Sequence, residues 1–169
     1  NVGNVLNSVN VSAAIVTENL RRSKVGGLAK AAALLREHEA QLGPFLTTDP
    51  KGRITFINRA MEEMVGLSRD QILSLPISQL YINGLAEARR IMTVLREKGS
   101  LKNYETGMTR NGQAVPILTS ASLLRDETGK IIGTLGVFKD LTEKKKLEEE
   151  LKKTQAHLIQ AGKMRALGE

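Results

Sequence analysis

Apolar residues recur along this chain with two different periods, and the changes of period divide it into three zones. From Val5 the apolar positions Val5, Val9, Ala13, Val16 and Leu20 step by three or four, the stripe of an amphipathic helix. Arg21-Arg22-Ser23-Lys24 interrupts that stripe, and Gly26-Gly27 would cost a continuous helix roughly 1 kcal/mol per glycine. A second stripe at Leu28, Ala32, Leu35 and Leu42 stops at Gly43-Pro44. The pattern predicts an antiparallel helical hairpin over residues 1–45 with its turn near 22–26. One narrow stripe per helix cannot be buried within the hairpin, so a second copy completing a four-helix bundle is expected.

The period then shortens to two. Phe45 to Thr48 is apolar and short, and Asp49-Pro50-Lys51-Gly52 is strong turn chemistry before the β-rich Arg53 to Asn58, which predicts a hairpin of two strands. Short helices are expected over Ala60–Val65, stopped by Gly66, and after Ser68, where Gln71 three residues on completes a capping box. A longer helix is expected over Ala86–Lys98, stopped by Gly99. Three strands come next, around Leu101–Arg110, Gln113–Arg125 and Lys130–Lys139, joined at Asn111-Gly112, a type I′ signal, and at Asp126 to Gly129. Residues 46–141 are therefore expected to be an α+β unit, a five-stranded antiparallel sheet with helices packed on one face.

From Thr142 the helical period returns. Leu147, Leu151, Thr154, Leu158 and Ala161 form a heptad stripe, flanked by Lys144 to Lys146, Glu148 to Glu150 and Lys152-Lys153. A continuous helix over residues 142–169 would be about 42 Å long. Nothing earlier in the chain is shaped to cover it, so it is expected to pair with its own copy as a coiled coil through Leu147, Leu151 and Leu158.

Composition narrows the chemistry. The 169 residues include no cysteine, which excludes disulfides, thiolate metal sites and cysteine nucleophiles, and suits a reducing, cytoplasmic setting. Two histidines are too few for a histidine-rich metal site. The net charge of +7 is spread over all three zones, not gathered on one patch, and with 3% aromatic residues and no Trp, nucleic acid is not an expected partner. The longest apolar runs, Ala31 to Leu35 and, broken by Thr134, Ile131 to Phe138, fall far short of the ~20 residues of a membrane span, and no signal peptide is read at the start.

Residues 46–141 resemble a PAS domain. The resemblance is carried by Asp49-Pro50-Lys51-Gly52-Arg53-Ile54-Thr55-Phe56-Ile57-Asn58-Arg59-Ala60, Gly66-Leu67-Ser68-Arg69-Asp70, Arg110-Asn111-Gly112, Gly129-Lys130-Ile131-Ile132-Gly133 and Asp140-Leu141-Thr142-Glu143-Lys144. The two ends resemble a sensor histidine kinase's dimerisation and phosphotransfer domain. Gly162 to Glu169 is similar to the opening of its first helix, which places the family's acceptor His about two helical turns further on. Asn1-Val2-Gly3-Asn4 is similar to the family's residues just beyond that His, a remnant of the phosphoacceptor box at Asn1 and Asn4, and residues 5–45 to the rest of the hairpin. Asn1 stands where the family often has an acid, and it cannot serve as a general base. The order, with the His itself missing, fits a rearranged or fused chain, a lost segment joining the ends, or a hairpin belonging to a separate upstream copy.

These resemblances imply a regulatory portion of a protein-histidine kinase, homodimeric through its helices, with a response regulator as the parent kinase's partner. No catalytic residue is expected in this chain, because no phosphate-binding loop or ATP box is present. His38 and His157 are read as partly buried or surface residues. Asp140 and Thr142, where strand becomes coil, are expected to cap the helix and, by the PAS resemblance, to relay movement of the sheet into it. A pocket lined by Phe56, Ile91, Leu95, Ile117 and Phe138 is the candidate ligand site, set against a filled core, which is the favoured reading. No cofactor is expected. Without cysteine there is no flavin–thiol adduct, few aromatics are present to stack a flavin, and the helix over Ala86–Lys98 has no His to ligate haem.

Overall fold

In the computed structural model, residues 43–168 are described. The predicted hairpin, with Asn1, Asn4 and His38, therefore lies outside the described residues except for its last few positions. The elements run β1 (Phe45–Thr48), β2 (Ile54–Ile57), α1 (Arg59–Val65), α2 (Arg69–Ile72), a 3₁₀ turn (Ile77–Gln79), α3 (Gly84–Lys98), β3 (Ser100–Arg110), β4 (Gln113–Arg125), β5 (Ile131–Asp140) and α4 (Thr142–Gly168). Predicted and observed strands differ by a residue or two at their ends, and α3 starts two residues before the expected Ala86.

The sheet is five-stranded and antiparallel in the order β2-β1-β5-β4-β3. Its turns are those the sequence demands. Asp49 accepts the backbone N–H groups of Lys51 and Arg53, each at 2.9 Å, closing the first hairpin. Asn111 and Gly112 both have positive φ, as a type I′ turn requires. The pairing of β1 with β5 (Phe45 opposite Val137, Thr48 opposite Thr134) brings the two ends of the unit together in the middle of the sheet.

Helices α1–α3 cover one face. Leu46, Ile57, Met61, Ile72, Leu95, Met108 and Ile117 are among the residues buried there. Phe45, Phe56, Leu135 and Val137 are also buried, but on the opposite face. The register puts Thr47 opposite both Phe56 and Leu135, and Phe45 opposite Val137, and directly paired residues share a face.

Two local devices hold the helical layer. Ser68 and Gln71 form the expected capping box on α2. Asn58, buried, is the N-cap of α1 and does more than cap. Its Oδ1 accepts from the amides of Met61 (3.0 Å) and Phe45 (3.1 Å), and its Nδ2 donates to the Gly43 carbonyl at 2.7 Å. One side chain thus ties the start of α1 to the start of β1.

Candidate functional site

Two places in the fold carry chemistry that packing alone does not require: the joint between β5 and α4, and a cleft between α3 and the sheet.

The joint is built around Asp140, the last residue of β5. Its Oδ1 accepts the Thr142 amide (2.8 Å) and the Thr142 hydroxyl, and its Oδ2 accepts Nη2 of Arg110 at 2.9 Å. Arg110 ends β3, and its Nε also donates to the carbonyl of Met64 in the last turn of α1. Beside it Asn111 lies over Gly66, the left-handed C-cap of α1, where a β-carbon would meet the Asn111 side chain at 2.9 Å. The β3–β4 hairpin tip therefore grips the end of α1 and the start of α4 together. Partial burial on its own would raise the Asp140 carboxyl; the Thr142 hydroxyl and amide, followed by Arg110, outweigh it and hold the group below the ordinary aspartate range. A carboxylate at this position also suits the positive end of the helix dipole.

A proline decides where the strand stops. The Leu141 amide donates to the Pro116 carbonyl at 2.8 Å, one step beyond the pairing of Ile117 with Asp140. In an unbroken antiparallel ladder residue 116 would return an N–H to the Leu141 carbonyl. Proline has none. That carbonyl instead accepts the Lys145 amide at 2.9 Å, the first helical hydrogen bond of α4. Leu141 itself is buried, and Lys145 reaches Glu105 on β3 at 3.4 Å. Beyond this foot α4 is a rod standing off the sheet, with Leu147, Leu151 and Leu158 between 56% and 66% exposed. His157 is exposed on the same helix.

Asp140 and Thr142, both expected as caps of this helix, are in contact with each other but do not share the capping role. Asp140 accepts the first helical amide, whereas the Thr142 hydroxyl caps nothing and is spent as a donor to Asp140. Sequence reading does not single out Arg110 as a site residue, because Arg110-Asn111-Gly112 reads locally as a turn and its partner lies thirty residues on.

The cleft has a volume of about 480 Å³ and opens between α3 and the β1–β2 turn. The sequence favours a filled core without a ligand, and this cleft lies open beside the filled core. Of the five predicted lining residues, Ile91, Leu95 and Phe138 line the cleft. Phe56 does not, because the register turns it to the opposite face, where it stacks on Phe45 at 5.6 Å with the Arg69 guanidinium 5.3 Å from its ring. Ile117 does not either. It is on the helical face but wholly enclosed in the core, toward the end of β4 nearer the joint. Their places are taken by smaller residues that pattern reading passes over: Thr48, Thr119, Ala121, Thr134 and Gly136. Gly136 matters sterically, since a β-carbon there would stand 3.1 Å from the Phe138 ring, which lies across it. Tyr81 also lines the cleft, and burial, then Glu87 and Tyr104 nearby, push its phenol well above the ordinary tyrosine range, so it stays protonated. Among the described residues no group of three or more His, Asp or Glu could hold a metal ion, and no helix is long and apolar enough to cross a membrane.

The overall fold is shared with solved proteins. A family model described as the PAS fold matches residues 37–141, more than half of the chain. The chain belongs to the PAS family. A PAS domain of a protein from Colwellia psychrerythraea superposes with a TM-score of 0.57 at 21% identity, covering 65% of this chain and 98% of that one. A PAS domain from a two-component sensor histidine kinase does so with a TM-score of 0.53 at 16% identity, covering 67% and 95%. At these identities they speak for the fold. Among curated proteins, sporulation kinase C of Bacillus subtilis is 29% identical over 105 residues, 62% of this chain and 24% of the kinase. Sensor histidine kinase TmoS of Ectopseudomonas mendocina is 25% identical over 153 residues, 89% of this chain and 16% of that protein. This PAS protein therefore spans a quarter or less of the sensor kinases it matches, and it is homologous to their sensor regions.

Proposed function

We propose that this chain is the sensory and dimerisation portion of a two-component sensor histidine kinase, cytoplasmic, and without catalytic activity of its own. In this reading the PAS unit biases the packing of a coiled coil formed by α4 and its copy. That movement reaches the helices that present the acceptor His, and through them the response regulator of the parent kinase. Two packings of a helical pair need differ by only a few kcal/mol for a signal to choose between them. The observation that carries the reading is the clamp at Asp140, because one carboxylate holds β3, through Arg110, and the first turn of α4, a path by which movement of the sheet would reach the helix. Leu151→Asp combined with Leu158→Asp, both at exposed positions, should convert a dimer to a monomer in light scattering with the sheet intact by circular dichroism. A dimer dissociation constant unchanged by the two substitutions refutes pairing through α4, whatever the hairpin contributes.

The cleft favours a second reading, a small-ligand-binding PAS module acting mainly through protein–protein contacts. It predicts a stoichiometric small molecule retained by the purified chain in native mass spectrometry. The readings are compatible in space, since β5 contributes Thr134, Gly136 and Phe138 to the cleft and ends at Asp140.

A further inference from the structure

We infer that the cleft takes an organic anion with an apolar body, most simply a small carboxylic acid, with the anionic group held at the mouth by Arg89 and Arg96. The inference rests on the reading that the cleft is a ligand site, and names the ligand's class.

The threonine hydroxyls of the floor are already spent. The Thr48 and Thr134 hydroxyls bond each other at 2.6 Å across β1 and β5, and the Thr119 hydroxyl donates to the Val137 carbonyl at 3.2 Å. Besides the Tyr81 phenol, what the floor offers a ligand is mainly apolar surface from Ile91, Leu95, Phe138, Met92 and Ala121. A ligand body carrying several polar groups would lose its water there without replacement.

The mouth is different. Arg89 and Arg96 lie seven residues apart on α3, two turns along the same face, and Lys51 faces them from the β1–β2 turn. All three are exposed, and among the described residues none has a carboxylate within ion-pairing distance. The acid on Arg89's own helix that does pair, Glu87, is taken by Arg90 at 3.8 Å. Among the described residues Asp49 is the one acidic residue lining the cleft, and its Oδ1 is engaged by the amides of Lys51 and Arg53. Three cations against one acid thus rim an apolar hollow, complementary to a ligand with one anionic end. A cationic or neutral ligand of the same shape would meet the same floor but gain nothing, or be repelled, at the rim.

The test uses the whole chain and three eight-carbon probes of matched shape: octanoate, octanamide and octylammonium, titrated calorimetrically. Octanoate should bind at least tenfold more tightly than octanamide, and octylammonium most weakly. Arg89→Gln with Arg96→Gln, both at exposed positions, should bring octanoate to within about threefold of octanamide while leaving octanamide unchanged. Backbone amide shifts at Ile91 and Phe138 on octanoate addition should locate the site in the cleft. Equal affinity for octanoate and octanamide would overturn the anion preference and leave ligand binding standing. Shifts confined to other surfaces, or no binding by any probe, would overturn the proposal altogether. The coiled-coil reading is untouched by each of these outcomes, being tested by the oligomeric state of the leucine variants.

Discussion

Consider removing the clamp one arm at a time. Arg110→Ala deletes a charge-assisted hydrogen bond to Asp140 and a second one to the Met64 carbonyl. Both ion-pair partners are about one-third exposed, 33% and 32%, so solvent screening reduces the pair to about 1 kcal/mol. The Met64 carbonyl, at a helix end, loses its donor, which adds about 1 kcal/mol. Arg110→Ala should therefore cost about 2 kcal/mol. Asp140→Asn retains an acceptor for Thr142 but not the charge, and should cost about 1 kcal/mol. In the double variant the ion pair is counted once, so the two costs should fall short of additivity by about 1 kcal/mol. Urea unfolding of the four proteins followed by circular dichroism measures this directly. Native-state hydrogen exchange should show faster exchange at the amides of Thr142 to Lys146 in either single variant, with the β3–β4 ladder unaffected. Additivity within about 0.3 kcal/mol, or an unchanged first turn of α4, would refute the claim that Arg110 and Asp140 couple sheet to helix.

Three further outcomes are expected. Asn58→Ala should cost about 3 kcal/mol in urea unfolding, since two buried amides and the Gly43 carbonyl each lose a partner, and a cost below about 1 kcal/mol would show that water replaces the side chain. Stability should be flat between about pH 5 and pH 9 and fall below about pH 4. The folded carboxyls of Asp140 and Asp126 sit below their unfolded value, the latter held down chiefly by the Thr128 hydroxyl, so the unfolded chain takes up protons first; Asp140→Asn should show a shallower fall, and an identical acid profile would contradict this. Gly66→Ala should destabilise by about 1–2 kcal/mol through its positive φ and the nearby Asn111. Gly107→Ala should cost less, about 0.5–1 kcal/mol, because the atom that a β-carbon would overlap is Cδ1 at the tip of the half-exposed Ile82 side chain, which can swing away; thermal melts showing the reverse order would sink the comparison.

Much of the fold was legible because its signals are local. Asp49 to Gly52, the Ser68–Gln71 box, Asn111-Gly112 and Asp126 to Gly129 each specify a turn or cap through their own backbone preferences, and the strands between them come from alternation. The joining of β1 to β5 was not, because that pairing spans most of the unit and no local pattern encodes it. The same gap explains the cleft. Ile54, Phe56 and Ile57 are all apolar, so alternation cannot say which face Phe56 takes; the register with Thr47 does. Ile91 and Leu95 were legible from the α3 stripe. The threonines and Gly136 were not, since small residues make room only when their neighbours are known. At the joint Asp140 and Thr142 were readable as adjacent polar residues at a change of period, whereas Arg110 entered only through a contact between distant parts of the chain.

Pro116 carries a consequence that reaches beyond its own strand. Any other residue there would offer an amide proton to the Leu141 oxygen, which would then have two claimants, one prolonging the ribbon and one winding the coil. Frayed boundaries arise from such competition, and a frayed boundary absorbs torque. With the rival donor missing, the chain changes from ribbon to coil at a single bond, and under the proposed relay a twist travelling up β5 would have no slack in which to be lost.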